Sequence, residues 1–235
     1  TGKLRKSFTI AGIALLCLGD MWTVNKRYLH DDQFVPRSIR TETFNKTKAD
    51  ELILQDKSLD YRVLNFATST FDENNTAYWH KSVGGYHAAK LRRYQEMIDH
   101  HIKPEMQAAF KEVAASGGEM DSVDAGKFQV LNMLNTKYFI FPVNQQGQTA
   151  PLNPYAYGNA WFVDKVQYVD NANEEIDAVG KVDLKNTAIV DVKFKDILKG
   201  VTEGLKFDSA STVKLVSYKP NHLIYETSSP KDGVV

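Results

Sequence analysis

Residues 125–142 read AGKFQVLNMLNTKYFIFP, and the fold class turns on how this stretch is divided. Its first half suits a helix. Its second half, KYFIFP at 137–142, is the most apolar β segment of the chain and is rich in the aromatic and branched residues that strands favour. Upstream the signals are mostly helical. GGYHAAKLRRYQEMIDHHIK (84–103) predicts the best helix, with His87, Leu91, Tyr94, Ile98 and Ile102 spaced to share one face. Lys103-Pro104 marks a boundary or kink, PEMQAAFKEVAA continues helically with proline at its first position, and SGG at 116–118 ends it. Further back, Thr47 caps a short helix beginning around Lys48, with Asp50 in the capping box, and DYRVLNFA (60–67) alternates as a strand does.

Downstream, strands dominate. NQQGQTAPLNPYAYGN (144–159) reads as a turn-rich linker and AWFVDKVQYV (160–169) as a strand. NANEEIDAVGK is a short helix capped by Asn171 or Asn173, and TAIVDVKF (187–194) is another strand. STVKLVSY and LIYETSS form a hairpin around KPNH (219–222). Helices early and strands late predict an α+β fold, with an N-terminal helical and mixed part carrying a small sheet, then a strand-rich C-terminal part. The expected divisions are 1–22, the end of an apolar segment; 23–150, a mixed α/β domain; and 151–235, a strand-rich continuation.

The chain holds 29 basic and 29 acidic residues, so no global field draws it to nucleic acid or to an anionic surface, and any charged partner is met locally. With 43% apolar and 25% charged residues among 235, it has the makings of a sizeable core. Cys17 is the sole cysteine and cannot form an internal disulfide. At the N-terminus a basic flank, KLRK, precedes an apolar run from Phe8 to Leu18 that Asp20 stops, short of the roughly 20 residues of a full span. It reads as a core element, as a secretory signal without a small-residue cleavage pattern, or as the tail of a membrane helix with the rest of the chain outside. Both ends, PKDGVV included, read as cuts through a longer polypeptide.

The densest chemistry lies in TAYWHKSVGGYHAAKLRRYQEMIDHH (76–101). Between Asn74 and Gln95 there is no acidic residue, while Lys81, Lys90, Arg92 and Arg93 supply cations and His80 and His87 imidazoles. Gly84-Gly85 permits close backbone approach, and a helix starting directly after it would offer free N–H groups to an anion. Tyr78, Trp79 and Tyr86 add faces suited to stacking on sugar rings or to a membrane interface. The alternative is an ordinary turn with core aromatics and a solvated cationic face. No catalytic set emerges: there is no nucleophile elbow, no phosphate-cradling glycine motif and no zinc spacing, the three potential ligands of DHH pointing apart on a helix. No metal and no cofactor is expected.

DMWTVNKRYLHDDQFV, the stretch from DYRVLNFATSTFDENN through TAYWHKSVGGYHAAKLRRYQEMID, LNMLNTKYFIFP and NAWFVDKVQYV, in that order, resemble the extracytoplasmic region of the YfhO family of bacterial polytopic membrane proteins. SVGGYHAAKLRRYQ and LNTKYFI are the most specific segments. The resemblance implies a GT-C-type membrane glycosyltransferase, which moves sugar from a polyprenyl-phosphate carrier to a cell-envelope polymer. Its catalytic acid is expected between membrane helices outside this chain. The implied partners are the membrane-embedded part of the same polypeptide and a lipid-linked sugar or envelope glycan. The candidate contacts are Tyr78, Trp79, His80, Lys81, Gly84, Gly85, Tyr86, Lys90 and Arg93. A non-catalytic structural or interaction module is the other expectation.

Overall fold

The computed structural model describes residues 2–42, 44–143, 147–199 and 211–235. The chain separates into two compact units, 1–45 and 46–235. In the first, helix α1 (Gly2–Tyr28) is followed by a single turn at Asp31–Gln33 and helix α2 (Arg37–Glu42). Asp20 does not stop α1: the helix runs on through Trp22 to Tyr28, beyond the apolar run that the sequence delimits. Its Arg5–Tyr28 part, 24 residues, is apolar and long enough to cross a membrane, a criterion that a secretory signal also meets. At 1.5 Å per residue that is about 36 Å, against a hydrocarbon core of roughly 30 Å. Phe8, Leu16 and Trp22 are 71%, 76% and 66% exposed.

The second unit begins with helix α3 (Lys48–Ile53), whose Thr47 and Asp50 form the expected reciprocal cap: Asp50 N–H donates to Thr47 Oγ1 at 3.2 Å and Thr47 N–H to Asp50 Oδ2 at 2.8 Å. Strand β1 (Arg62–Asn65) leads into a long connection containing helix α4 (Asn75–Trp79). Helix α5 (Arg92–Met97), a π-turn at Ile98–Ile102 and helix α6 (Lys103–Ala115) follow without a break. Pro104 does not end this run; it stands one residue beyond the π-turn, where the helical hydrogen-bond ladder is already irregular.

Helix α7 (Gln129–Met133) and strand β2 (Thr136–Val143) divide the 125–142 stretch as its composition predicts. The turn between them needs Asn135 at φ 55°, a left-handed conformation that asparagine tolerates. β2 is the middle of a three-stranded sheet, parallel to β1 through Leu64↔Phe139 and antiparallel to β3 (Gly147–Thr149) through Phe141↔Thr149. The stretch expected to be a linker thus supplies an edge strand, for Phe141 and Pro142 extend β2 far enough to pair with it; its residues 144–146 lie outside the described ones. Strand β4 (Lys165–Val169), helix α8 (Ala172–Val179) and strand β5 (Thr187–Asp191) form a parallel crossover unit, with Asn171 as the cap. Strands β6 (Thr212–Lys219) and β7 (His222–Ser228) form the expected hairpin. The molecule is α+β.

The main core lies where the α5–α6 run crosses the sheet. Ile98, Ile102, Ala109 and Val113 pack with Phe128, Leu131, Phe139, Leu64 and Val83. Burial of each large side chain here contributes about 1.5–3 kcal/mol. Phe66 stacks on Phe141 with centroids 4.8 Å apart, closing the end of this layer.

Candidate functional site

The helix expected over 84–103 starts eight residues late. Its first residue is Arg92, and 86–91 form turns and extended backbone. The Gly pair therefore does not open a helix, and the anion site expected at such an N-terminus is not formed. Of the predicted apolar face, Tyr94, Ile98 and Ile102 pack inward, whereas His87 is exposed and Leu91 is 78% exposed. The glycines serve a different purpose. Gly85 N–H donates to Thr70 O at 2.7 Å, and a Cβ on Gly84 would stand 2.0 Å from that same carbonyl oxygen. Gly85 has φ +105°, which L side chains rarely adopt. The pair lets two passes of the connection touch backbone to backbone.

The inner part of the connection, 65–85, is built around buried polar groups. Asn65 donates from Nδ2 to Thr76 Oγ1 at 2.9 Å and accepts on Oδ1 from Ala67 N–H, while Thr70 Oγ1 donates to Asn65 O at 2.7 Å. Residues 81–83 run beside β1 as an added edge: Val63 N–H donates to Lys81 O and Val83 N–H to Val63 O. Polar side chains that composition assigns to a solvated loop are thereby buried with partners, as burial requires.

His80 is 2% exposed at its side chain and places Nε2 2.8 Å from Asp50 Oδ1, itself in a side chain 10% exposed. A carboxylate only accepts, so Nε2 carries the proton. Burial opposes ionisation of Asp50, yet the bonds from His80 and Thr47 outweigh it and hold the carboxyl below its ordinary value. Lys81 Nζ donates to Asp60 Oδ1 at 2.5 Å and lies 3.2 Å from the centre of the Tyr218 ring on β6. Trp79 meets Tyr78 edge-on at 4.9 Å and receives Lys46 Nζ over its face at 4.5 Å. His80, Lys81, Trp79 and both glycines are thus engaged within the fold.

The outer part, 86–93, is different. Tyr86 is 59% exposed, its N–H held by Glu73 O and Asn74 Oδ1, each at 3.1 Å. Lys90 reaches over the Phe71 ring at 5.4 Å, Arg92 pairs with Glu96 at 2.8 Å from an almost fully exposed side chain, and Arg93 is exposed. Tyr94 anchors the far end, its hydroxyl donating to Val83 O at 2.5 Å; burial pushes its phenol above the ordinary value. Of the nine residues singled out in the sequence, Tyr78, Lys81, Tyr86, Lys90 and Arg93 present surface along this connection, Lys81 while paired with Asp60.

Two features carry no sequence motif. Glu105, at the start of α6, accepts N–H bonds from Val130 at 3.0 Å and Leu131 at 2.9 Å, capping α7 from another helix. Burial pushes its carboxyl up to about 7 although both bonds favour the charged form. A second concavity, of about 600 Å³, is mostly apolar and is bounded by Trp161, Ala188, Ile189, Val213, Tyr225 and Val235. Both arise from contacts between residues far apart in the chain. Among the described residues, no three His, Cys, Asp or Glu side chains converge to hold a metal. No protein-family model, curated protein or solved structure matches the chain.

Proposed function

We propose that residues 46–235 are the extracytoplasmic domain of a membrane protein of the GT-C glycosyltransferase type, and that the surface from Tyr78 to Arg93 contacts its lipid-linked sugar or envelope glycan. The observation that carries this reading is the braced ledge itself. Tyr86, Lys90 and Arg93 stand on a base fixed by Gly85, Asn74 and Tyr94, so aromatic and cationic groups are held out to solvent at little cost in ordering. The resemblance of SVGGYHAAKLRRYQ and LNTKYFI to the YfhO family supports the enzyme class. For the membrane, the support is α1, with exposed apolar side chains on a helix of spanning length. Lys3, Arg5 and Lys6 precede its apolar run but Lys26 and Arg27 close the helix, so the outer side for residues 46–235 rests on the resemblance rather than on charge bias.

A second reading has its own observation. His80, Lys81 and Gly84, all within the segment that carries the resemblance, are spent on internal contacts, as in a module that only shapes the protein. One double variant separates the two. Tyr86→Ala with Arg93→Ala, expressed in cells as the whole membrane protein, is expected to keep its membrane abundance and to lower sugar transfer to the envelope polymer about fivefold, the loss of roughly 1 kcal/mol of contact. Transfer unchanged at normal abundance overturns the glycan-contact reading; abundance and transfer falling together favour the structural one.

A further inference from the structure

The 86–93 loop combines features that a sugar site does not need. Leu91 is the most exposed of the large apolar residues described, at 78%, and lies between Lys90 and Arg92, with Arg93 one residue further on. Polyhydroxylated ligands are bound by donors and acceptors together, yet no carboxylate occurs between Asn74 and Gln95, and Glu96, just beyond the loop, is paired with Arg92. An exposed leucine flanked in sequence by Lys90, Arg92 and Arg93, with the exposed Tyr86 on the same loop, has the composition suited to the boundary of an anionic bilayer. There leucine enters the acyl margin, tyrosine lies at headgroup depth and lysine or arginine meets phosphate. The loop also has the mechanics of a probe rather than a tether. Its two ends are pinned, at Gly85 N–H to Thr70 O and at Tyr94 hydroxyl to Val83 O, while 87–93 has no buried side chain.

We propose that this loop is a lipid-contact finger, which seats Tyr86 and Leu91 in the headgroup zone of an anionic membrane and sets Lys90, Arg92 and Arg93 against its phosphates. This rests on the membrane anchoring read above and narrows the partner of the ledge to the lipid side. The polar head of a lipid-linked phosphate would lie at the same depth. Net neutrality of the chain is no objection, because the attraction is local and decays within about 10 Å in ordinary salt.

The test uses the whole chain with Cys17→Ser and Ala89→Cys, an exposed position that leaves all five contact residues in place, labelled with an environment-sensitive fluorophore. The protein is placed in nanodiscs of phosphatidylcholine alone or with about one third phosphatidylglycerol. A label at Lys111→Cys, exposed and about 28 Å along the continuous helix from Arg92, is the reference. In the anionic discs the label at 89 is expected to shift to the blue and to be quenched by headgroup-region nitroxide lipid several times more than the label at 111. Arg92→Glu with Arg93→Glu is expected to weaken the quenching about tenfold, two cations at roughly fivefold each with Arg92 discounted for its pair with Glu96. Circular dichroism of that variant checks that the fold is retained. Equal quenching at 89 and 111 in discs that carry the protein overturns the finger and leaves the anchor standing. Equal quenching at 89 in both disc compositions overturns the anionic assignment. A chain that does not co-elute with the discs at all removes the anchor and the finger together.

Discussion

Residues 76–85 and 86–93 adjoin in the chain, share an aromatic and cationic composition, and differ in what their side chains touch. In the first, His80 meets Asp50, Lys81 meets Asp60 and Tyr218, and Gly84 lies against Thr70. In the second, the backbone is held at its ends and the side chains of Tyr86, Leu91 and Arg93 face solvent. A histidine or lysine in a busy motif is therefore no guide to function until its partner is known. The half that looks richest in chemistry spends His80, Lys81 and both glycines on the fold, though Tyr78 and Lys81 still reach the surface, and the plainer half is the more available to a partner.

The sharpest way to break this contrast is at Gly84. A Gly84→Ala methyl would stand 2.0 Å from Thr70 O and 2.5 Å from Thr70 Cγ2, and the backbone oxygen cannot turn aside. Since Gly85 N–H binds that same oxygen, relief means separating the two passes of the connection and losing the edge that 81–83 adds to β1. A loss of about 4 kcal/mol or more is expected, at the far end of single substitutions, read as a fall in the urea midpoint with unchanged slope. A midpoint close to wild type would show that the contact is dispensable and the inner half less committed than its geometry implies.

His80→Ala comes next. It leaves Asp50 as a buried carboxylate with Thr47 alone for a partner, and removing one member of a buried pair costs about 3 kcal/mol. The pH dependence gives a second check. Because the folded Asp50 carboxyl titrates below its ordinary value, its stabilisation is present above the ordinary carboxylate range and is lost as pH falls through the lowered folded value. In His80→Ala that acid-side loss is expected to shrink, measured as melting temperature against pH.

Glu105 tests the ground on which both halves stand, since α6 and α7 pack in the core that Val83 and Tyr94 join. Its folded value of about 7 lies above the ordinary carboxyl value of 4.5. The native state then binds more protons than the unfolded chain between these values. Stability is full below the unfolded value, falls as pH rises towards 7, and levels off above it, a change of order 3 kcal/mol. Glu105→Gln keeps one acceptor for the α7 N–H groups and removes the titration, so its melting temperature is expected to stay flat across that window. A wild type equally flat would place the charged carboxylate comfortably on its two N–H donors.

The same contacts explain how much was legible in the sequence. Local chemistry was: the Thr47–Asp50 cap, the Asn171 cap, the passage from α7 into β2 and the β6–β7 hairpin all rest on neighbours within a few residues. What needed a distant partner was not. The wheel that joined His87 and Leu91 to Tyr94 assumed continuous helix, but Gly84 and Gly85 are held by Thr70 and Tyr86 by Glu73 and Asn74, so the backbone leaves helical geometry until Leu91 has passed. Thr70 and Thr76 read as loop polarity and are buried because they and Asn65, at the end of the expected strand, satisfy one another. Asp50 and His80 are thirty residues apart, and nothing in the spacing of either points to the other. The glycine pair reads in the sequence as a place where a ligand comes close; the close approach that the structure shows is of the protein's own chain at Thr70.

The smallest expected effect is the most informative for the outer half. Leu91→Ala removes an isobutyl group that is already 78% exposed, so folding gains almost nothing from it and stability should change by no more than about 0.5 kcal/mol. Alanine is also the better residue if the helix extends backwards by a turn, since Leu91 already sits at its N-cap in extended geometry with no side-chain bond to lose. A stability change of 2 kcal/mol would mean that Leu91 is packed in solution, and the division between a structural 76–85 and a free 86–93 would fail at its most exposed residue. If stability holds, the fold does not account for a large apolar side chain beside three cations. Then a loss of membrane quenching at position 89 in the same variant would tie that side chain to the bilayer.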